Sequence, residues 1–421
     1  MTRLGRLVPA AAPVPGVRVV VDVRPVQEPE RSPLTAEYLE RLLGAFAAEP
    51  LQGESFVLVS RALRPDPADA LAWKGLPIHG RRRIPPTTRA FRSAGLTLDS
   101  FLLRGAELRA SADSPEAGAV FHTAGGAVPI ASGLPVVATL LDLAPWEMPA
   151  VYAASAAARF GHRLRARVLR DAVRVIVCSR ATADAAARRL HLPMDRLAVI
   201  PLAVADDFLD AGRDAANIAA TKEELRLPER YLAFAGRYDA RKDMRTLLEA
   251  VRALSGGNGS LSGGGAGPVL VLAVDTQMRD DAPLLRAAIE RQGVGAAATV
   301  VETDGPRQRA AVIAGAAAFV YPALTEATGL PALEALSVGV PVICTRAGAL
   351  PETVGSAGIV VAPRDPARLA AALEAIWASG ALADQLLRQA QRRAQAPRRT
   401  WADVARETRV VYADAARTAS A

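Results

Sequence analysis

Cysteine is nearly absent from this 421-residue chain: Cys178 and Cys344 are the only two, each in an apolar run. That excludes a disulfide framework and fits a reducing compartment. Lysine is almost as scarce, at Lys74, Lys222 and Lys242 only, although the net charge is +8. Arginine carries nearly all of the positive charge, so a retained lysine stands out. No apolar run reaches the ~20 residues that a bilayer-spanning helix needs. Residues 1–16 lack the apolar core of a signal peptide, so a cytoplasmic location is expected. No basic stripe interleaves with aromatics, which argues against a nucleic-acid partner. The charge suits acidic partners instead, such as phosphorylated substrates or an anionic membrane surface. Four scattered histidines show no metal-ligand spacing.

What is present is a globular composition, 51% hydrophobic and 22% charged, in a chain long enough for two domains. Short β-branched runs alternate with helical spacings in both halves. In the first half the strands fall at residues 17–23, 56–59, 119–121, 135–141, 173–178 and 197–200. Residues 78–86, with Arg81, Arg82 and Arg83, read as a basic loop or edge strand, and 98–108 and 150–170 as helices. A polar stretch, 204–230, reads as a linker with one short helix. Strands then recur at 231–235, 269–274, 298–302, 318–321 and 340–345, and the chain closes on an amphipathic helix from Trp401. The pattern predicts an α/β protein with two doubly wound, Rossmann-like parallel sheets. The expected domains are 1–203, with 1–16 disordered, and 231–396, followed by a C-terminal segment 397–421. Residues 255–268 are low-complexity and Gly-rich. Without the lysine and hydroxyl residue of a phosphate loop they read as a flexible surface loop.

The most informative stretch is 318–334, A-F-V-Y-P-A-L-T-E-A-T-G-L-P-A-L-E. A buried strand ends at Pro322, a polar loop follows, and Pro331 marks a helix start. Such a start offers unpaired N–H groups and a positive dipole end to an anion. Glu326 on the loop and Glu334 on the helix are carboxylates, which accept hydrogen bonds from hydroxyls rather than bind phosphate. An anion site between two hydroxyl acceptors fits a nucleotide sugar; the competing reading is two ordinary surface glutamates. Gly236-Arg237…Lys242 lies at another strand's carboxyl end, where doubly wound sheets bind ligands. A forked guanidinium and a point-charge ammonium there make a pyrophosphate clamp, or else two solvated loop charges.

These residues carry a resemblance to the retaining glycosyltransferases of family 4, the group 1 family with the GT-B fold. The matching segments are F-A-G-R-Y-D-A-R-K-D-M-R-T-L-L-E-A at 234–250, Y-P-A-L-T-E-A-T-G-L-P-A-L-E-A-L at 321–336 and G-V-P-V-I-C-T-R-A-G-A-L-P-E at 339–352. In the first half V-F-H-T-A-G-G-A-V-P at 120–129, V-I-V-C-S-R-A-T-A-D at 175–184 and V-I-P-L-A-V at 199–204 also match. The resemblance implies a first, acceptor-side domain and a second, donor domain facing it across a cleft. It implies a hexose, mannose- or glucose-like, passing from a nucleotide sugar to a carbohydrate or lipid-linked acceptor in polysaccharide or glycolipid synthesis. No metal or other cofactor is implied. Arg237 and Lys242 would neutralise the diphosphate, and Glu326 would hold hydroxyls of the transferred sugar. Glu334 would hold the ribose, and backbone N–H groups at Thr328, Gly329 and Leu330 would meet the phosphate beside Gly236. The final helix would cross back to the first domain.

The first half departs from that pattern. Leu141-Asp142 stands where relatives have His-Asp, and the loop after the first strand, 25–33, has no glycine. Gly-Phe-Gly after the first glutamate has become Ala327-Thr328-Gly329. Asp142 and His122 remain candidate cleft residues, His122 alternatively a structural histidine. The alternative function is therefore a protein of this fold that binds a nucleotide sugar, or a partner transferase, without turnover. Arg81, Arg82 and Arg83 are candidates for peripheral contact with an anionic inner membrane face.

Overall fold

The computed structural model describes residues 16–69, 73–85, 101–103, 119–124, 128–130, 132–255, 267–278, 280–378 and 380–420. The chain divides into two compact units: Met1–Ala203 with Arg399–Ala421, and Val204–Arg398.

The first unit is built on a seven-stranded parallel sheet: β1 (Arg18–Asp22), β2 (Ser55–Arg61), β3 (Ile78–Ile84), β4 (Ala119–Ala124), β5 (Val136–Leu140), β6 (Arg174–Val177) and β7 (Leu197–Val199). Their order is β3-β2-β1-β4-β5-β6-β7. The interior strands are rich in buried Val, Leu, Ile and Phe because helices cover both faces of a doubly wound sheet, with His122, Thr123 and Thr139 as buried polar exceptions in β4 and β5. The basic segment is the edge strand β3, and Arg81 on it pairs with Asp66 at 2.7 Å. Strand β4 runs three residues beyond the expected 119–121 and takes in His122 and Thr123. The single helix expected over 150–170 begins later, at Ala156, where Ser155 caps it by accepting from Ala158 N; a separate short helix, Pro149–Tyr152, precedes it. Of the helix expected over 98–108, residues 101–103 are helical and the remainder lies outside the described residues. Gly125 and Gly126, residues 1–15 and most of the Gly-rich 255–268 segment also lie outside them.

The closing helix, Trp401–Ser420, belongs to this first unit and packs on the helix Pro33–Ala48. Arg409 binds both oxygens of Glu54 at 2.8 Å, and its guanidinium lies over the Phe46 ring.

The second unit has a six-stranded parallel sheet: β8 (Leu232–Ala235), β9 (Leu270–Asp275), β10 (Ala298–Thr303), β11 (Ala318–Tyr321), β12 (Val342–Thr345) and β13 (Gly358–Val361). Their order is β10-β9-β8-β11-β12-β13. The segment expected as a linker, 204–230, is instead part of this unit. It forms two helices, Asp206–Arg213 and Ala215–Glu224, that pack on the helix Gly305–Ala314. Its polarity is one-sided: Phe208, Leu209 and Ala211 are buried, and Gly212 leaves no room for a side chain against Val338.

Candidate functional site

In the second sheet the chain leaves β8 toward β9 on one side and returns at β11 on the other, so β8 and β11 flank the switch point, the place where doubly wound sheets bind ligands. The loop after β8 begins at Gly236, whose φ of 146° is open to glycine. Asp239 then caps a single 3₁₀ turn, Ala240–Lys242, by accepting from Arg241 N at 2.9 Å. Asp243 follows in the left-handed region, φ 47°, and accepts from Thr246 Oγ1. This tight turn delivers Lys242 inward, and only 6% of it is exposed.

The loop after β11 is fixed to the first. Leu324 N donates to Arg241 O at 2.6 Å, and Thr345 Oγ1 donates to Ala323 O. Ala349 N donates to Glu326 O at 2.8 Å, while Gly348 lies so close to that carbonyl that a Cβ would come within 1.9 Å of it. Glu326 is thereby held at the centre of the site, 8% exposed. Its Oε1 accepts from Thr328 Oγ1 at 2.8 Å, Thr328 N at 3.2 Å and Gly329 N at 3.3 Å. Its Oε2 accepts from Tyr321 OH at 3.0 Å and Lys242 Nζ at 3.3 Å. Lys242 also donates to the Tyr321 hydroxyl, and its ammonium lies 4.2 Å from that ring's centroid.

Burial dominates the electrostatics and divides the pair's behaviour. It pushes the Lys242 pKa below the usual lysine value, against the opposing pull of Glu326. Burial alone would raise the Glu326 carboxyl, but Lys242, Arg241 and the Thr328 hydrogen bonds together outweigh it and hold the group below the usual glutamate value. The result is a buried ion pair whose carboxylate is heavily solvated by protein donors.

Of the expected site residues, Lys242, Glu326, Thr328 and Gly329 come together directly. The N–H groups expected to face a phosphate are not open in this state. Those of Thr328 and Gly329 point at Glu326, and Leu330 N donates to Thr328 Oγ1, because the loop carboxylate is the nearest anion to the start of the helix Leu330–Ser337. Glu334, on that helix, is 4% exposed and bonds Arg309 Nη2 at 3.0 Å. Arg237 is half exposed and its Nε lies 3.6 Å from Asp281 Oδ2. Two participants were missed in the sequence. Arg309 is on a separate helix with no local motif. Tyr321 had a signal: it is the last residue of β11, at a carboxyl end.

The two first-unit candidates have structural work. His122 is fully buried; its Nδ1 lies 2.7 Å from Tyr412 OH and its Nε2 2.9 Å from Thr139 Oγ1. Burial lowers its pKa to about 3, so it is neutral and belongs to a core hydrogen-bond chain rather than to a ligand surface. Asp142 Oδ1 accepts from Ala144 N at 2.8 Å at the start of the short helix Ala144–Glu147. Leu141 is buried. Among the described residues no group of three or more His, Cys, Asp or Glu side chains is arranged to hold a metal, and no helix is long and apolar enough to cross a membrane.

Two family models match the chain: glycosyl transferases group 1 over 229–379, and glycosyltransferase family 4 over 35–208. The O-antigen chain mannosyltransferase B of Escherichia coli is 30% identical over 193 residues, 42% of this chain and 44% of that protein. The matches span about half or less of the length of the curated relatives. Among solved structures, sucrose-phosphate synthase from Thermosynechococcus elongatus superposes with a TM-score of 0.67 at 22% identity, covering 92% of this chain and 96% of that one. Anabaena HepE in complex with UDP-glucose gives 0.61 at 14% identity, covering 96% and 99%. Both likenesses are of fold, two doubly wound parallel sheets in one chain.

Proposed function

The chain belongs to the group 1 glycosyltransferases of family 4, and from that membership we propose that it moves a hexose from a nucleoside diphosphate sugar to a hydroxyl acceptor. The hexose is mannose- or glucose-like, the acceptor a carbohydrate or lipid-linked glycan, and the anomeric configuration is retained, as the family resemblance implies. The observation that carries the reading is the Lys242–Glu326 pair, buried at the switch point of the second sheet.

In this reading the ligand-free site is satisfied by its own groups, and the donor exchanges partners with them. The diphosphate takes the Lys242 ammonium, with Arg237 approaching from the exposed side of the same loop. Glu326 turns to hydroxyls of the sugar. That turn releases the Thr328 and Gly329 N–H groups, which then meet phosphate at the helix start. Glu334, steadied by Arg309, holds the ribose hydroxyls. As the bond from the anomeric carbon to the diphosphate oxygen breaks, negative charge grows on the leaving nucleotide. Lys242 and Arg237 stabilise that charge where it develops, a task for which this reading needs no cofactor. The partners that follow are a nucleotide sugar and a glycan acceptor.

Calorimetric titration tests the roles. Lys242→Ala should weaken UDP or GDP roughly ten- to a hundredfold, the effect of losing a charge-assisted contact of about 1.5–3 kcal/mol. It should leave uridine or guanosine unchanged. Glu334→Ala should weaken the nucleosides as well. Equal diphosphate binding by Lys242→Ala and the parent would refute the assignment. A second reading, binding without turnover, is favoured by the buried Leu141 where relatives carry histidine. Slow release of free sugar from UDP- or GDP-hexoses by the purified protein distinguishes the two.

A further inference from the structure

Tyr321 closes β11 with its ring 1% exposed and its hydroxyl at the centre of the proposed donor site. The ring stacks on Phe234 of the neighbouring β8, centroids 6.1 Å apart at 16°, and on Phe319 two residues earlier, 5.8 Å apart at 20°. Side chains packed in this way have one low-energy position, so the phenol oxygen is a fixed point. It accepts from Lys242 Nζ and donates to Glu326 Oε2 at 3.0 Å. Lys242 therefore has two oxygen partners of different character. The tyrosine is neutral and anchored by its ring. The glutamate is charged and carried on a loop.

We propose that Tyr321 is a positioning residue, whose hydroxyl keeps the Lys242 ammonium charged and in place when Glu326 leaves it for a sugar hydroxyl. The inference rests on the donor-site reading above and extends it. A buried ammonium that loses its carboxylate and finds no other acceptor sheds its proton or moves. Neither outcome leaves a cation for the diphosphate. The phenol supplies an acceptor that does not depart, and the electron-rich face of the same ring adds a cation–π contact. In Tyr321→Phe the ring, its stacking and the cation–π contact persist, and the hydroxyl alone is lost.

The chain's three lysines make the test direct. In protein carrying ¹³Cε-lysine, three signals titrate, and Lys242→Met identifies the one from Lys242. Tyr321→Phe should titrate Lys242 about one pH unit lower than the parent, the effect of one hydrogen bond to the charged form. Lys74 and Lys222 should not move, which also reports an intact fold. Binding of UDP or GDP should fall off with rising pH in the parent, and the fall should come about one unit earlier in Tyr321→Phe. Uridine and guanosine binding should be the same in both. An unchanged Lys242 titration, or diphosphate affinity reduced equally at every pH, overturns the role of Tyr321. Failure of the parent to bind any nucleoside diphosphate overturns the donor-site reading instead, and is seen in the binding arm alone.

Discussion

The Lys242–Glu326 pair should respond unequally to loss of either member. Glu326 is contacted by five donors, and Lys242→Met removes one of them, leaving Tyr321 OH, Thr328 N, Thr328 Oγ1 and Gly329 N in place. The loss is one charge-assisted hydrogen bond, about 1.5–3 kcal/mol. Glu326→Gln is harsher. The three donors at Oε1 hold the amide oxygen on their side, which turns the amide NH₂ toward Lys242 and Tyr321. A buried ammonium then faces a donor, the situation in which breaking a buried pair costs about 3–5 kcal/mol. The deficit should shrink as pH rises. The unfolded lysine keeps its proton to higher pH than the buried one, so unfolding takes up a proton and stability of the variant climbs with pH in that window. Two compact units make a single unfolding midpoint ambiguous. The measurement is therefore hydrogen exchange of amides in β8 and β11 under mild denaturant, which reads the opening of the second unit. A loss in Lys242→Met equal to or greater than that in Glu326→Gln would refute the idea that loop donors sustain the carboxylate.

Two further outcomes follow from the same physics. His122 has its pKa lowered to about 3 by burial against an unfolded value near 6.5, so the stability it allows is complete above about pH 6.5 and is lost as pH falls toward 3, at about 1.4 kcal/mol per unit; hydrogen exchange of β4 and β5 amides under mild denaturant, between pH 7.5 and 4 and corrected for the intrinsic exchange rate, should show this slope in the parent and a flatter one in His122→Gln. Gly348→Ala puts a Cβ within 1.9 Å of Glu326 O at a φ of 48° and should destabilise the second unit by about 1–3 kcal/mol, read by the same exchange of β8 and β11 amides, and weaken UDP or GDP binding, whereas Gly295→Ala, with nothing within 4 Å, should change neither exchange nor binding.

The fold was legible because parallel strands buried on both faces read as short, mostly apolar runs, and such runs recur at the intervals that a doubly wound sheet demands. What failed to read had specific causes. Strand β13 is four residues long and opens on Gly358, whose missing Cβ lets Val342 O approach; a glycine in so short a run carries no strand signal. The segment 204–230 has its apolar residues spaced for one-sided burial, and its charged remainder made it look like a linker. His122 looked like a strand-end residue because its partners, Thr139 and Tyr412, lie 17 and 290 residues away. Nothing near it in sequence indicates that the closing helix inserts a phenol beside it.

The sequence marks Lys242 and Glu326 as candidates for a phosphate and a hydroxyl and gives no sign of their pairing. They are 84 residues apart, and only the adjacency of β8 and β11 brings them into contact. That contact changes the energetics that the residues suggest singly. An open cation would add its full attraction to an incoming diphosphate. A cation already held by a buried carboxylate and a fixed phenol contributes only the difference between old and new partners. The carboxylate's own exchange is what tips that difference. In the proposed function a nucleoside diphosphate would take Lys242 and leave Glu326 leaning on its remaining donors, whereas the intact nucleotide sugar would offer Glu326 a hydroxyl as Lys242 is drawn away. In the proposed function, the arrangement couples occupation of the cation to presence of the sugar, because each half of the ion pair is satisfied by a different part of the same donor molecule.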